Sequence, residues 1–176
     1  MRLKTTLFAI AFIAAGASST LAAVACPKPA FTKDQIVAAQ NAWAEGIVAI
    51  GKAEDPKMTA SAFIDKMYAY DLGKVLFKPT KARAVPFRDT KDKALSYFVT
   101  GQEAEDKGFA LTPFTSVRFD NKDIVIDCDS ALAMGHYYFT PKDGKEIEVE
   151  YSFGYIPAKD GSVKINLQHS SLPYQE

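Results

Sequence analysis

The stretch EIEVEYSFGYIPAKDGSVKINLQHSSLPY, residues 146–174, decides the fold. Its first half alternates with period two. Ile147, Val149, Tyr151, Phe153 and Tyr155 fall on one side, and Glu146, Glu148, Glu150 and Ser152 on the other. That is a strand with one face on a core and one in water. Asp160-Gly161 supplies a tight hairpin, and residues 163–171 read as the returning strand. On the same parity Val163, Ile165, Leu167, His169 and Ser171 point inward, and Ser162, Lys164, Asn166, Gln168 and Ser170 outward. The inward face thus turns from apolar to polar at its end. Hydrogen-bonding groups carried into an apolar interior mark the floor of a candidate site. A core histidine near a strand end gives the same pattern.

Upstream, Asp143-Gly144 makes another hairpin to a strand over 130–140. Residues 115–119 and 124–128 read as two further strand pieces with Asp120-Asn121 as a turn between them. The chain before these is helical. Thr32 caps a helix to about Ala53, with Ile36, Trp43, Ile47 and Ile50 on one side, and Pro56 ends it. Thr59 or Ser61 caps a second helix with Phe63, Met67 and Tyr70 inward. VLFKPT (75–80) is a short strand stopped by Pro79, and Asp89 or Thr90 caps a third helix through Ala94, Leu95, Tyr97 and Phe98. Helices first and antiparallel strands after make an α+β fold. A strongly curved sheet wrapped around the helices encloses a cone with room for a small ligand.

The N-terminus carries Arg2 and Lys4, then LFAIAFIAA (7–15), then small residues through Ala23 and Ala25. This predicts a secretory signal peptide over 1–23, cleaved after residue 23 or 25, too short to serve as a membrane span. Residues 27–176 are then expected to form a single domain, periplasmic or secreted and off the membrane. The whole chain balances 21 basic against 21 acidic residues. Without Arg2 and Lys4 it is slightly acidic, which argues against nucleic acid as a partner. The basic run KPTKARAVPFRDTKDK (78–93) reads as a solvated face. Export permits a disulfide between Cys26 and Cys128, which the chain-entropy model credits with about 4–5 kcal/mol. A lipid-modified Cys26 or a buried free Cys128 are the alternatives.

There are two histidines, His136 and His169, whereas a catalytic zinc usually takes three protein ligands. No His-x-His, HExxH, phosphate loop or serine-hydrolase elbow is present. The tail QHSSLPY (168–174) resembles the end motif of the iota-class carbonic anhydrases, His-His-Ser-Ser followed by Leu-Pro-Tyr. The resemblance continues, in order, through VLFKPT (75–80), ALSYFVTG (94–101), DKGFAL (106–111), VRFDN (117–121), ALAMG (131–135) and VEYSFGYI (149–156).

The resemblance implies a nuclear-transport-factor-2-like cone, similar to the association domain of a calmodulin-dependent kinase and usually a homodimer. It also implies reversible hydration of CO2 to bicarbonate. Members of that family are described as working without a metal, through hydroxyl and phenol groups. A divalent metal such as Zn or Mn is the alternative cofactor. Carried over by position, the catalytic groups are Thr80, Tyr97, His169 and Ser171. Gln168 stands in place of the first motif histidine. On the alternation it points outward, so the replacement is expected to spare the chemistry and to favour a metal-free site. Phe77, Phe98, Phe153 and Tyr155 would form an apolar wall suited to CO2. The competing readings are a non-catalytic ligand-binding or oligomerisation module of the same fold, and an isomerase or hydratase built on a buried Asp/His pair.

Overall fold

The computed structural model describes residues 28–176. The signal-peptide stretch and Cys26 lie outside the described residues. Helix α1 (Lys33–Lys52) starts at Thr32 with a capping box: Thr32 accepts from the Gln35 N–H, and Gln35 reaches back to the Thr32 N–H at 2.8 Å. Its buried stripe is Ile36, Gln40, Trp43, Ala44, Ile47 and Ile50. Helix α2 (Pro56–Met67) is capped by Asp55, which accepts from the Met58 N–H at 2.9 Å, rather than by Thr59 or Ser61. Pro56 opens this helix instead of ending the one before it, because a first-turn residue needs no N–H partner and proline's φ suits the position. Helix α3 (Lys91–Val99) is capped by Thr90. Among the described residues, no helix is long and apolar enough to cross a membrane.

The strands are β1 (Leu76–Lys78), β2 (Phe114–Ile126), β3 (Ala131–Pro141), β4 (Ile147–Pro157) and β5 (Val163–Ser171). They form one curved, unclosed sheet in the order β1-β5-β4-β3-β2. β2 to β5 run as an antiparallel meander, while β1 lies parallel to β5 at the edge. The helices cover the inner face. Trp43 sits at the centre, its ring 5.7–6.3 Å from those of Phe63, Phe119, Tyr137, Phe139 and Phe153. The expected apolar wall is in place: Phe77, Phe98, Phe153 and Tyr155 are all buried.

Two of the sheet's three register shifts bear on the site. β2 does not turn at Asp120-Asn121; it runs through as one strand with a register shift between Asn121 and Asp123. Gly135 of β3 faces that bulge, and a Cβ there would lie 2.1 Å from the Asp120 carbonyl oxygen. The second bulge is in β5. Tyr155 pairs with Ile165 and Gly154 with Leu167, leaving Asn166 as the extra residue. Every side chain beyond it changes face. Gln168 therefore pairs with Phe153 and Ser170 with Tyr151, both inward, and are 3% and 1% exposed. His169, opposite Ser152, is exposed, and Ser171, opposite Glu150, is half-buried on the outer face. The expectation that His169 and Ser171 line the interior is thus corrected, as is the outward placement of Gln168.

The basic run 78–93 is not wholly a solvated face. Arg88 is fully buried and paired with Asp106 at 2.7 Å, while Ser96 donates to the other oxygen of Asp106 at 2.7 Å. Cys128 is disulfide-bonded; its expected partner, Cys26, lies outside the described residues.

Candidate active site

The inner face of β3 and β5 carries a cluster of hydroxyl, phenol and amide groups centred on Tyr137. Alternation with Ala133 and Phe139 brings Tyr137 inward from β3. The bulge in β5 brings Gln168 and Ser170 alongside it. Thr80 comes from the turn after β1, Tyr97 from α3, and Tyr68 from the end of α2. Tyr137 and Ser170 share a hydroxyl–hydroxyl bond, and Gln168 and Thr80 lie near enough to the Tyr137 hydroxyl to favour its ionised form against burial.

Behind these lies a relay. The Trp43 indole N–H donates to the Tyr68 hydroxyl at 2.9 Å, and Tyr68 donates to Oε1 of Gln168. With its oxygen held by Tyr68, the Gln168 amide turns its NH2 toward Tyr137. The Tyr97 hydroxyl lies near the Lys81 backbone, and its ring stacks on Phe109 with centroids 5.3 Å apart. A cavity of about 120 Å³ on this side is lined by Lys81, Tyr97, Asp106, Gly108, Phe109 and Thr112.

The electrostatics follow from burial. Desolvation pushes the Tyr137 phenol up to about 12, with Ser170, Gln168 and Thr80 pulling the other way. Burial raises Tyr97 and Tyr68 well above the ordinary phenol range. The cluster is therefore a set of neutral donors and acceptors at physiological pH. Such a set can orient water and hold an oxyanion, each hydroxyl both donating and accepting.

The four carried-over residues are divided by this arrangement. Thr80 and Tyr97 come together at the inner cluster. His169 and Ser171 do not join it: the Ser171 hydroxyl donates to Glu150 at 3.0 Å, and His136, 3.4 Å from Glu148, shares the same outer surface. Sequence reasoning missed Tyr137, Ser170 and Tyr68 and misplaced Gln168. The available signal was Gly154, a lone glycine inside a strand pattern, which commonly marks a bulge. Among the described residues, no group of three or more His, Cys, Asp or Glu side chains could hold a metal ion.

The protein is thus an α+β cone, a curved sheet closed by helices over a buried phenol–hydroxyl cluster. The family model for metal-independent carbonic anhydrase matches residues 34–172, and the chain belongs to that family. It is 41% identical over 156 residues to a metal-independent carbonic anhydrase of Nostoc sp. (strain PCC 7120 / SAG 25.82 / UTEX 2576), covering 84% of this chain and 76% of that protein. It also superposes on the crystal structure of a cyanobacterial iota-carbonic anhydrase complexed with bicarbonate. That match has a TM-score of 0.80 and 39% identity, over 85% of this chain and 96% of the other. A putative calcium/calmodulin-dependent protein kinase II association domain from Xanthomonas campestris shares the fold, with a TM-score of 0.58 and 23% identity over 85% and 94% of the two chains.

Proposed function

We propose that this chain interconverts CO2 and bicarbonate, without a metal, at the cluster of Thr80, Tyr97, Tyr137, Gln168 and Ser170. The observation that carries the reading is the convergence of Thr80, Gln168 and Ser170 on one buried phenol, in a member of the metal-independent family. CO2 has little to hydrogen-bond, and the buried Phe77, Phe98 and Phe153 offer it an apolar approach. As water adds to the carbon, charge grows on a CO2 oxygen. Donors already in place stabilise that charge without reorganising. The test is stopped-flow CO2 hydration by purified protein with and without a chelator. A rate above buffer that survives chelation supports the reading, and no rate under either condition defeats it.

The same reading extends to location and assembly. Residues 1–23 act as a signal peptide, leaving one domain from residue 27 in an exported, periplasmic or secreted enzyme. The disulfide at Cys128 supports an oxidising compartment. The enzyme is a homodimer joined over the outer face. There an apolar groove of about 530 Å³ is lined by Leu76, Phe87, Leu167 and His169, with Leu76 and Phe87 two-thirds exposed. Light scattering on the native chain and on Phe87→Asp tests this; a monomer in both cases removes it.

A further inference from the structure

Thr80 and Tyr97 come from two different segments, and one buried ion network ties those segments together. Thr80 opens the loop that leaves β1, and the loop closes on itself where the Arg88 N–H donates to the Phe77 carbonyl at 2.8 Å. The Arg88 side chain is fully buried; its guanidinium donates to the Val85 carbonyl of the same loop and, at 2.7 Å, to Asp106. Asp106 takes the Ser96 hydroxyl on its other oxygen, and Ser96 immediately precedes Tyr97 on α3. The Ser96 hydroxyl in turn accepts the Glu103 N–H at 2.8 Å. Beside Asp106, Glu105 gathers the N–H groups of Arg83, Ala84 and Val85. The segment bearing these carboxylates leaves α3 through Thr100 at φ 76° and ψ 166°, a conformation that a residue with a side chain rarely adopts. The cavity of about 120 Å³ opens between the two segments, with Lys81 on one wall and Tyr97 and Asp106 on the other.

A buried ion pair is a poor means of gaining stability, because apolar residues of similar volume often serve as well once both charges are replaced. What such a pair does supply is direction: a guanidinium fork fixes the angle of its bonds as well as their length. We propose that Arg88, Asp106 and Glu105 are positioning residues, which hold the Thr80 loop and the Tyr97 helix at the separation that CO2 hydration requires and keep the cavity between them open. The proposal rests on the CO2 reading above. The three residues act through Thr80 and Tyr97. Without them the loop shifts against the helix, and the hydroxyls no longer meet the charge that develops as water adds to CO2. CO2 itself makes few hydrogen bonds, so its binding changes little. The signature is therefore a fall in kcat with KM held.

The experiment is stopped-flow CO2 hydration with thermal unfolding alongside, each protein assayed at a temperature where it is folded. Native protein is compared with Arg88→Met/Asp106→Leu, Glu105→Gln, Asp106→Asn and, as a control for lost stability, Ile36→Val. The double variant should keep a Tm close to native, since both charges leave together. Its kcat should nevertheless fall about 10²-fold, the loss expected from misplaced catalytic groups. Glu105→Gln should lower kcat in the same direction, and KM should stay within about twofold of native in both. Asp106→Asn can still link Arg88 to Ser96 by hydrogen bonds and should keep most of the rate. Ile36→Val should lower Tm and leave kcat native. Native kcat in the double variant or in Glu105→Gln overturns the proposal, and so does a rise in KM that accounts for the whole loss. A loss in Asp106→Asn as deep as in the double variant also overturns it, because charge rather than alignment would then be at work. If the double variant does not fold, Glu105→Gln decides by the same criteria. No rate in the native protein defeats the CO2 reading itself, and the proposal with it.

Discussion

Gly154 of β4 lies against Asn166 of β5 so closely that a Cβ on residue 154 would stand 2.9 Å from the Asn166 amide oxygen and 3.0 Å from the Leu167 Cβ. Asn166 is the extra residue of the bulge, so this contact sets which side chains of β5 reach the interior. Gly135 plays the matching part against the β2 bulge, but there the crowding atoms are backbone, at 2.1 Å and 2.7 Å. Backbone gives way less readily than an amide side chain. Gly135→Ala should therefore destabilise by about 3 kcal/mol or more, and Gly154→Ala by about 1 kcal/mol. Urea unfolding of the two variants measures the difference.

Tyr137 is the hub of the inner cluster, and its replacement should be felt in both stability and rate. Tyr137→Phe leaves the buried Ser170 hydroxyl without its partner, at a cost of about 1–3 kcal/mol. CO2 hydration should fall by roughly 10²-fold, as when a donor to a developing oxyanion is lost. Thr80→Ala and Tyr97→Phe should lower the rate in the same direction. Ser171→Ala should not, because its hydroxyl serves Glu150 on the outer surface. Initial rates on the four variants check the assignment.

Arg88 and Asp106 form a buried ion pair beside the Tyr97 cavity, both side chains wholly out of solvent. Asp106→Ala leaves the buried guanidinium, whose Nε already lacks a partner, with only the Val85 carbonyl and Glu105 at 3.5 Å, and should cost about 3 kcal/mol. Replacing both residues together by apolar ones should cost much less. A double-mutant cycle read by thermal unfolding separates the two cases.

Alkaline pH should unfold the protein late. Burial holds Tyr137 and Tyr151 up to about 12, and raises Tyr68, Tyr70, Tyr97 and Tyr155 as well. A folded-state value above the ordinary phenol value near 10 means the buried, neutral form is stabilising. That contribution is complete below about pH 10 and is lost as pH rises through about 12. Phenolate absorbance should therefore appear mainly with unfolding near pH 12. A full tyrosine wave near pH 10 in folded protein would contradict the burial.

At the acid end, Glu105 accepts the backbone N–H groups of Arg83, Ala84 and Val85, which lower its carboxyl to about 2. Its support of that loop is present above the ordinary carboxyl value and is lost as pH falls through about 2. Hydrogen exchange at residues 83–85 should stay slow at pH 4 in the native chain and be fast in Glu105→Gln.

Much of the architecture was legible before any coordinates. Period-two alternation in 146–156 and the Asp-Gly hairpins at 143–144 and 160–161 located β3, β4 and β5. The Thr32 and Thr90 caps and the Ile36–Trp43–Ile47 stripe located α1 and α3. Tyr97 and the four-residue aromatic wall were read as inward, and they are. These signals are local, written by side-chain period and capping chemistry within a few residues. The parallel pairing of β1 with β5 has no such local mark, because it joins segments about ninety residues apart.

The faces of β5 show the limit of reading by period alone. Through Ile165 the pairing keeps the expected register, although Lys164, read as outward, is buried with its ammonium on the Asp65 carbonyl; one unpaired residue later, every following side chain is reversed. Sequence by itself determined that a polar patch ends this strand. Only the tertiary structure decided which members of the patch enter the cone, because a bulge depends on how closely the partner strand can approach. That approach is possible where Gly154 presents no side chain. The consequence is chemical: Gln168 and Ser170 meet Tyr137 in the interior, while His169 faces solvent.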